Sequence, residues 1–180
     1  MKKWLVLMGI SLFLLTGCVQ NSARDPVTHY LELYRNHSDE VTSSLQTLIR
    51  DENLLQEQQD LYELIMKRQY VDLEYKVVNE TYNGNQAVIT VLITVYDYQH
   101  SKDEARKEME ENLSEYTLLD GSINQTKYKD LQLKKMKEEK NRVKYTIDFN
   151  VNLQDEEWEL VSPDYTVLLK IHGIYDYNED

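Results

Sequence analysis

The chain has 180 residues, with 20 Lys and Arg against 32 Asp and Glu, a formal charge of −12. Nucleic-acid binding rests on neutralising phosphates, so this balance argues against it and against broad electrostatic adhesion to anionic lipid. Five glycines and two prolines are too few for a long disordered stalk, and a single cysteine rules out an intrachain disulfide.

The first element is not part of the fold. Met1-Lys2-Lys3 is a basic start, and Trp4 to Leu15 is apolar apart from Ser11. A bilayer core needs about 20 apolar residues, so this run is too short to span it and has the length of a signal-peptide hydrophobic region. An ordinary secretory signal ends in small residues, whereas Leu15 stands three positions before Cys18. Leu15-Thr16-Gly17-Cys18 resembles the bacterial lipobox. That resemblance implies cleavage after Gly17 and a diacylglyceryl thioether on Cys18, which also accounts for the lone cysteine. It places the protein at the cell membrane, lipid-anchored on the extracytoplasmic face. Without Lys2 and Lys3, 18 basic residues face 32 acidic ones, a charge of −14. The expected organisation is a signal peptide at 1–17, a lipidated cysteine and short tether at 18–25, and one domain at 26–180.

Asp25-Pro26 predicts a helix start, a capping residue before proline. Val27, Tyr30, Leu31 and Tyr34 then share a face. Val41, Leu45, Leu48 and Ile49 repeat at helical spacing, as do Leu54, Leu61, Leu64, Ile65 and Arg68. Two or three helices are expected between 26 and 69. Val71, Leu73, Tyr75 and Val77 alternate as a strand, Asn83-Gly84 reads as a hairpin turn, and Ala87 to Tyr98 as a long central strand. Ser101 to Glu104 matches a capping box, opening a helix that runs towards Asp120-Gly121. Leu131 and Leu133 read as the first strand of a three-stranded meander. Glu138 to Asn141 is its first turn, Val143 to Leu153 its second strand, Asp155-Glu156-Glu157 its second turn and Trp158 to Val161 its last strand. Ser162-Pro163-Asp164 starts a final helix stopped by Gly173, with a strand as the competing reading.

This order predicts an α+β fold, with N-terminal helices packed on a curled antiparallel sheet. The helical start behind a lipidated cysteine, the strand at 87–98 and the ending Trp158-Glu159-Leu160, Leu168-Leu169, Gly173 resemble small lipoproteins of Gram-positive bacteria with an NTF2-like, or cystatin-like, domain. The resemblance implies no catalytic residue, metal ligand or cofactor.

The residues themselves carry no nucleophile elbow, phosphate loop or paired-histidine metal motif. His29, His37, His100 and His172 fall in separate elements and read as solvated. Asp155-Glu156-Glu157 lacks the alternating ligands and central glycine of a calcium loop and reads as a turn. Fourteen tyrosines stand against two phenylalanines, and Tyr96-Asp97-Tyr98 recurs as Tyr175-Asp176-Tyr177. A tyrosine-lined cup would hold a sugar, peptide or cation, but β-propensity on half-buried strands is the favoured account. Residues 127–144 carry eight bases and three acids, a basic hairpin for anionic polymer or, as favoured, a set of ordinary ion pairs. The expected function is a non-enzymatic binding or accessory module on the cell surface, with a protein or peptide as a possible partner. An immunity-type lipoprotein that intercepts a cationic antimicrobial peptide and an enzyme using an NTF2-like cavity are the alternatives.

Overall fold

The structure, a computed structural model, describes residues 22–176. Three helices come first: α1 (Arg24–Arg35), α2 (Asp39–Asp51) and α3 (Gln56–Val71). The hairpin β1 (Glu74–Asn83) and β2 (Gln86–Tyr96) follows, then α4 (Tyr98–Glu111), α5 (Leu113–Tyr116) and α6 (Gln125–Glu138). The strands β3 (Arg142–Gln154) and β4 (Glu157–Leu160) and the helix α7 (Tyr165–His172) complete the fold. The strands form one curled antiparallel sheet in the order β1-β2-β3-β4. The fold is α+β, as the sequence predicts.

Helices cover one face of the sheet. Ile89, Val91, Ile93 and Val95 of β2 and Tyr145, Ile147, Phe149 and Val151 of β3 are buried with Val27 and Leu31 of α1 and Ile65 and Met66 of α3. The other face of β2, from Val88 to Tyr96, is half-buried and carries its polar neighbours from β1 and β3. All buried residues of the main core lie between Ala23 and Ile171. A second cluster, Ala105, Tyr116 and Leu131, joins α4, α5 and α6.

Several boundaries differ from the sequence reading, each for a physical reason. α1 starts before Asp25: Ser22 Oγ accepts from the Arg24 N–H at 3.2 Å, and Asp25 Oδ2 accepts from the Ser22 N–H at 2.8 Å. Pro26 sits in the first turn, where its missing N–H costs nothing. α3 extends to Val71, so β1 begins at Glu74 rather than Val71. The β1–β2 turn centres on Gly84-Asn85, one residue beyond Asn83-Gly84, with Gly84 at φ +59° and Asn83 paired to Gln86. A bulge leaves Val78 unpaired between Val77 and Asn79.

α4 begins at Tyr98, not at the Ser101 box. Asp97 is its cap, accepting from the His100 N–H at 3.0 Å, and Ser101 is a buried helix residue. Leu131 and Leu133 belong to α6, so the meander has two strands instead of three, and the basic segment is most of α6 followed by the first residues of β3. Three of the five lysines of that helix are held in ion pairs: Lys127 with Glu115, Lys129 with Glu52 and Lys135 with Glu108. α7 is a helix, capped by Asp164 and closed by Gly173 in the left-handed conformation at φ +70°.

α3 buries a different face from the one its leucines suggest. Leu64 is 58% exposed, while Gln58, Tyr62, Ile65, Met66, Gln69 and Tyr70 are buried. The glutamines can go inside because their amides are satisfied. Gln69 Nε2 donates to the Tyr96 carbonyl at 3.2 Å, and its Oε1 accepts from the Tyr96 N–H at 2.8 Å. Gln58 Nε2 donates to Asp130 Oδ1 at 2.7 Å. Satisfied in this way, a buried polar group no longer carries the cost of lost water.

Candidate functional site

The rotation of α3 that buries tyrosines also builds a cleft. A cavity of about 250 Å³ opens between α2, α3 and α7. Val41, Leu45 and Leu48 of α2 form one wall and Leu168 and Leu169 of α7 the facing one. Tyr34, Tyr62, Tyr70 and His172 line its inner side, and Tyr165 and Ile174 stand at its edge.

The aromatic groups hold one another. Tyr34 lies edge-on to Tyr30 and Tyr70, with ring centroids 5.4 Å and 5.2 Å apart. The Tyr30 and Tyr34 hydroxyls are 3.2 Å apart, and the Tyr70 hydroxyl and His172 Nε2 share a hydrogen bond of 3.0 Å. Edge-to-face pairs of this kind add about 0.5–1.5 kcal/mol each to plain area burial. The floor is therefore prefixed rather than adaptable.

Its electrostatics are neutral. Burial drives the Tyr34, Tyr62 and Tyr70 hydroxyls above the ordinary tyrosine value; neighbouring hydroxyls add to this at Tyr34 and Tyr70, and Glu52 and Tyr165 add to it at Tyr62. Burial also lowers His172, to about 4. At neutral pH the lining thus offers hydroxyls and an uncharged imidazole, with no phenolate and no imidazolium. The one acidic group in the lining, Glu52, is paired: its Oε2 lies 2.7 Å from Lys129 Nζ. Arg106 and Asp103 pair at 2.7 Å on the adjoining rim.

Position is set by the end of α7. The Ile174 N–H donates to the Leu169 carbonyl at 3.0 Å and the Gly173 N–H to the Lys170 carbonyl at 3.1 Å. This pair of bonds is the Schellman motif, which requires a left-handed residue at Gly173 and brings Ile174 back against Leu169. Both of those side chains line the cleft.

Of the histidines, His29 and His100 are exposed and His37 is half-buried, its Nε2 3.1 Å from the Lys67 carbonyl. His172 is buried, so the solvated reading fails there. The Tyr96-Asp97-Tyr98 triplet is structural. Tyr96 and Tyr98 stack at 6.0 Å, and the Tyr98 hydroxyl accepts from Arg68 and donates to the Ile65 carbonyl. Tyr175 and Asp176 lie beside that triplet: the Tyr145 hydroxyl donates to the Tyr175 carbonyl and Gln99 Nε2 to Asp176 Oδ2. Tyr177 lies outside the described residues, as do Leu15, Thr16, Gly17 and Cys18. The cleft tyrosines come from helices: Tyr34 lies on the α1 face that helical spacing marks, whereas no repeat or alternation marks Tyr62 and Tyr70. Among the described residues no cluster of His, Cys, Asp or Glu could hold a metal ion, and no helix is long and apolar enough to cross a membrane.

Compared with known proteins, the chain matches no family model, no curated protein and no solved structure.

Proposed function

We propose that the protein is a lipid-anchored, non-enzymatic binding module on the outer face of a bacterial cell membrane, and that it takes its ligand in the tyrosine-lined cleft. The Leu15-Thr16-Gly17-Cys18 motif supports the anchor. The helices set on one face of a curled sheet support the NTF2-like relationship. The observation that carries the binding role is the cleft itself, an apolar cavity with a few convergent hydroxyls, which is the usual make-up of a small-ligand site. Its neutrality favours an uncharged ligand with an apolar body and one or two hydrogen-bonding groups. Acid–base chemistry at neutral pH would need a titrating group near 7, and His172, at about 4 and bonded to Tyr70, is far from that value.

The neutral dye N-phenyl-1-naphthylamine tests the cleft. We expect saturable one-to-one binding, weakened at least fivefold in Leu168→Trp, which fills the cavity from its α7 wall. Uptake that never saturates, or an equal affinity in the variant, would sink this reading. The anchor is tested separately by the mass of the chain extracted from membranes and by Cys18→Ser, which should release it to the soluble fraction.

A further inference from the structure

One end of the molecule gathers three features. Gln86 pairs with Asn152, and the Leu153 N–H donates to the Asn85 carbonyl at 2.8 Å. The β1–β2 and β3–β4 turns therefore lie side by side. The start of α1 is fastened to the same end: Arg24 pairs with Glu80 at 2.5 Å, and the Tyr82 hydroxyl donates to the same carboxylate at 2.9 Å. Here Tyr82, 52% exposed, meets the half-buried Trp158 edge-on at 5.8 Å.

The cleft belongs to the opposite end. β2 runs ten residue steps from Gln86 to Tyr96, roughly 33 Å at strand rise. At Tyr96 it meets Gln69 and Gly173, the residues adjoining the cleft lining groups Tyr70 and His172.

We infer that Tyr82 and Trp158 form the membrane-facing surface of the protein, seated in the headgroup region of the bilayer, with the cleft held outward. The inference rests on the reading of Cys18 as the lipidated residue. Ser22 is four residues beyond Cys18, a reach of at most about 14 Å, so the Tyr82 end cannot leave the interface. Tyrosine and tryptophan are the side chains that favour this depth, with an apolar ring and a polar edge. The turn at the same end carries Asp155 and Glu156, so the contact suits zwitterionic headgroups and is weakened by anionic ones.

The sequence supplies its own reporters. After loss of Trp4, Trp158 is the single tryptophan, and Cys18 is the single thiol. Residues 18–180, which contain the whole described fold, are coupled at Cys18 to a maleimide phosphatidylethanolamine in phosphatidylcholine vesicles. Phosphatidylcholine brominated at acyl carbons 6 and 7 should quench Trp158 at least 1.5-fold, and iodide should quench it at least threefold less than in uncoupled protein. The far end is read with Val71→Trp in a Trp158→Phe background; Val71 is 56% exposed on the last turn of α3. That reporter should show no bromolipid quenching. Equal signals from both reporters, or quenching only at position 71, would overturn the orientation. Because the lipid is attached chemically, this outcome is independent of processing in the cell, which the mass of the extracted chain decides.

Discussion

Gly173→Ala should be among the most damaging single substitutions in the protein. At φ +70° a non-glycine residue costs about 1–2 kcal/mol for the left-handed conformation alone. The added methyl would also lie 2.0 Å from the Tyr96 carbonyl oxygen and 2.4 Å from Gln69 Nε2. The first of these is backbone in a central strand, so relief means moving α7 off β2, at about 1–3 kcal/mol for overpacking. Strain on the two Gln69–Tyr96 hydrogen bonds comes on top, and the total is on the order of 3–5 kcal/mol. Gly121 supplies the control. Its φ is +84°, but nothing lies within 4 Å of its would-be methyl, so Gly121→Ala should lose only about 1–2 kcal/mol. Urea denaturation of both variants, with midpoints compared at constant slope, gives the difference directly. At this chain length 3 kcal/mol corresponds to roughly 6–12 °C in Tm. If Gly173→Ala were no worse than Gly121→Ala, the packing of α7 against Gln69 and Tyr96 would be wrong.

Three further outcomes are expected. His172 is neutral in the fold to about pH 4 but takes a proton near 6.5 when unfolded, so the unfolded state binds more protons between these values; stability should fall by about 3 kcal/mol from pH 6.5 to 4, and His172→Gln should remove that slope in denaturation midpoints. Glu139 is subject to burial, which raises its carboxyl, but the Asn141 N–H, the Ser101 hydroxyl and the Lys140 N–H together hold it below the ordinary value. Its stabilisation is therefore present above the ordinary carboxylate range and lost as pH falls below it. Glu139→Ala should cost on the order of 3 kcal/mol at pH 7, with Glu139→Gln intermediate by thermal melting. Asp155 and Glu156 both hold positive φ, +46° and +69°, in a two-residue turn; Asp155→Asn with Glu156→Gly should raise stability by roughly 1 kcal/mol, and an unchanged Tm would count against the turn geometry.

The strands were legible because β3 buries one face only: Tyr145, Ile147, Phe149 and Val151 alternate with exposed residues, and that period is visible in the letters. α6 hid its nature by burying two sides. Leu131 packs into the small cluster with Ala105 and Tyr116, while Leu133 and Met136 face the main core. Their spacing of two residues imitates a strand. α3 hid its buried face because Gln58 and Gln69 look polar until their hydrogen-bond partners, 72 and 27 residues away, are known. The cleft was illegible for the same reason. Tyr34, Tyr62, Tyr70 and His172 lie on three helices, and only tertiary packing brings them together. Ser101 was misread because its hydroxyl serves Glu139, 38 residues later, rather than its own helix end.

The bulge at Val78 has a consequence for how many copies can share a surface. β1 is an outermost strand ten residues long, and among the described residues no strand pairs with its free side. A flat edge of that length is a template for stacking one molecule on another. Val78 breaks the run of backbone donors and acceptors near its middle, and Glu74, Lys76 and Glu80 put charge along it. Neither half offers an uninterrupted ladder to a neighbour, so crowded copies should remain separate molecules instead of fusing sheet to sheet.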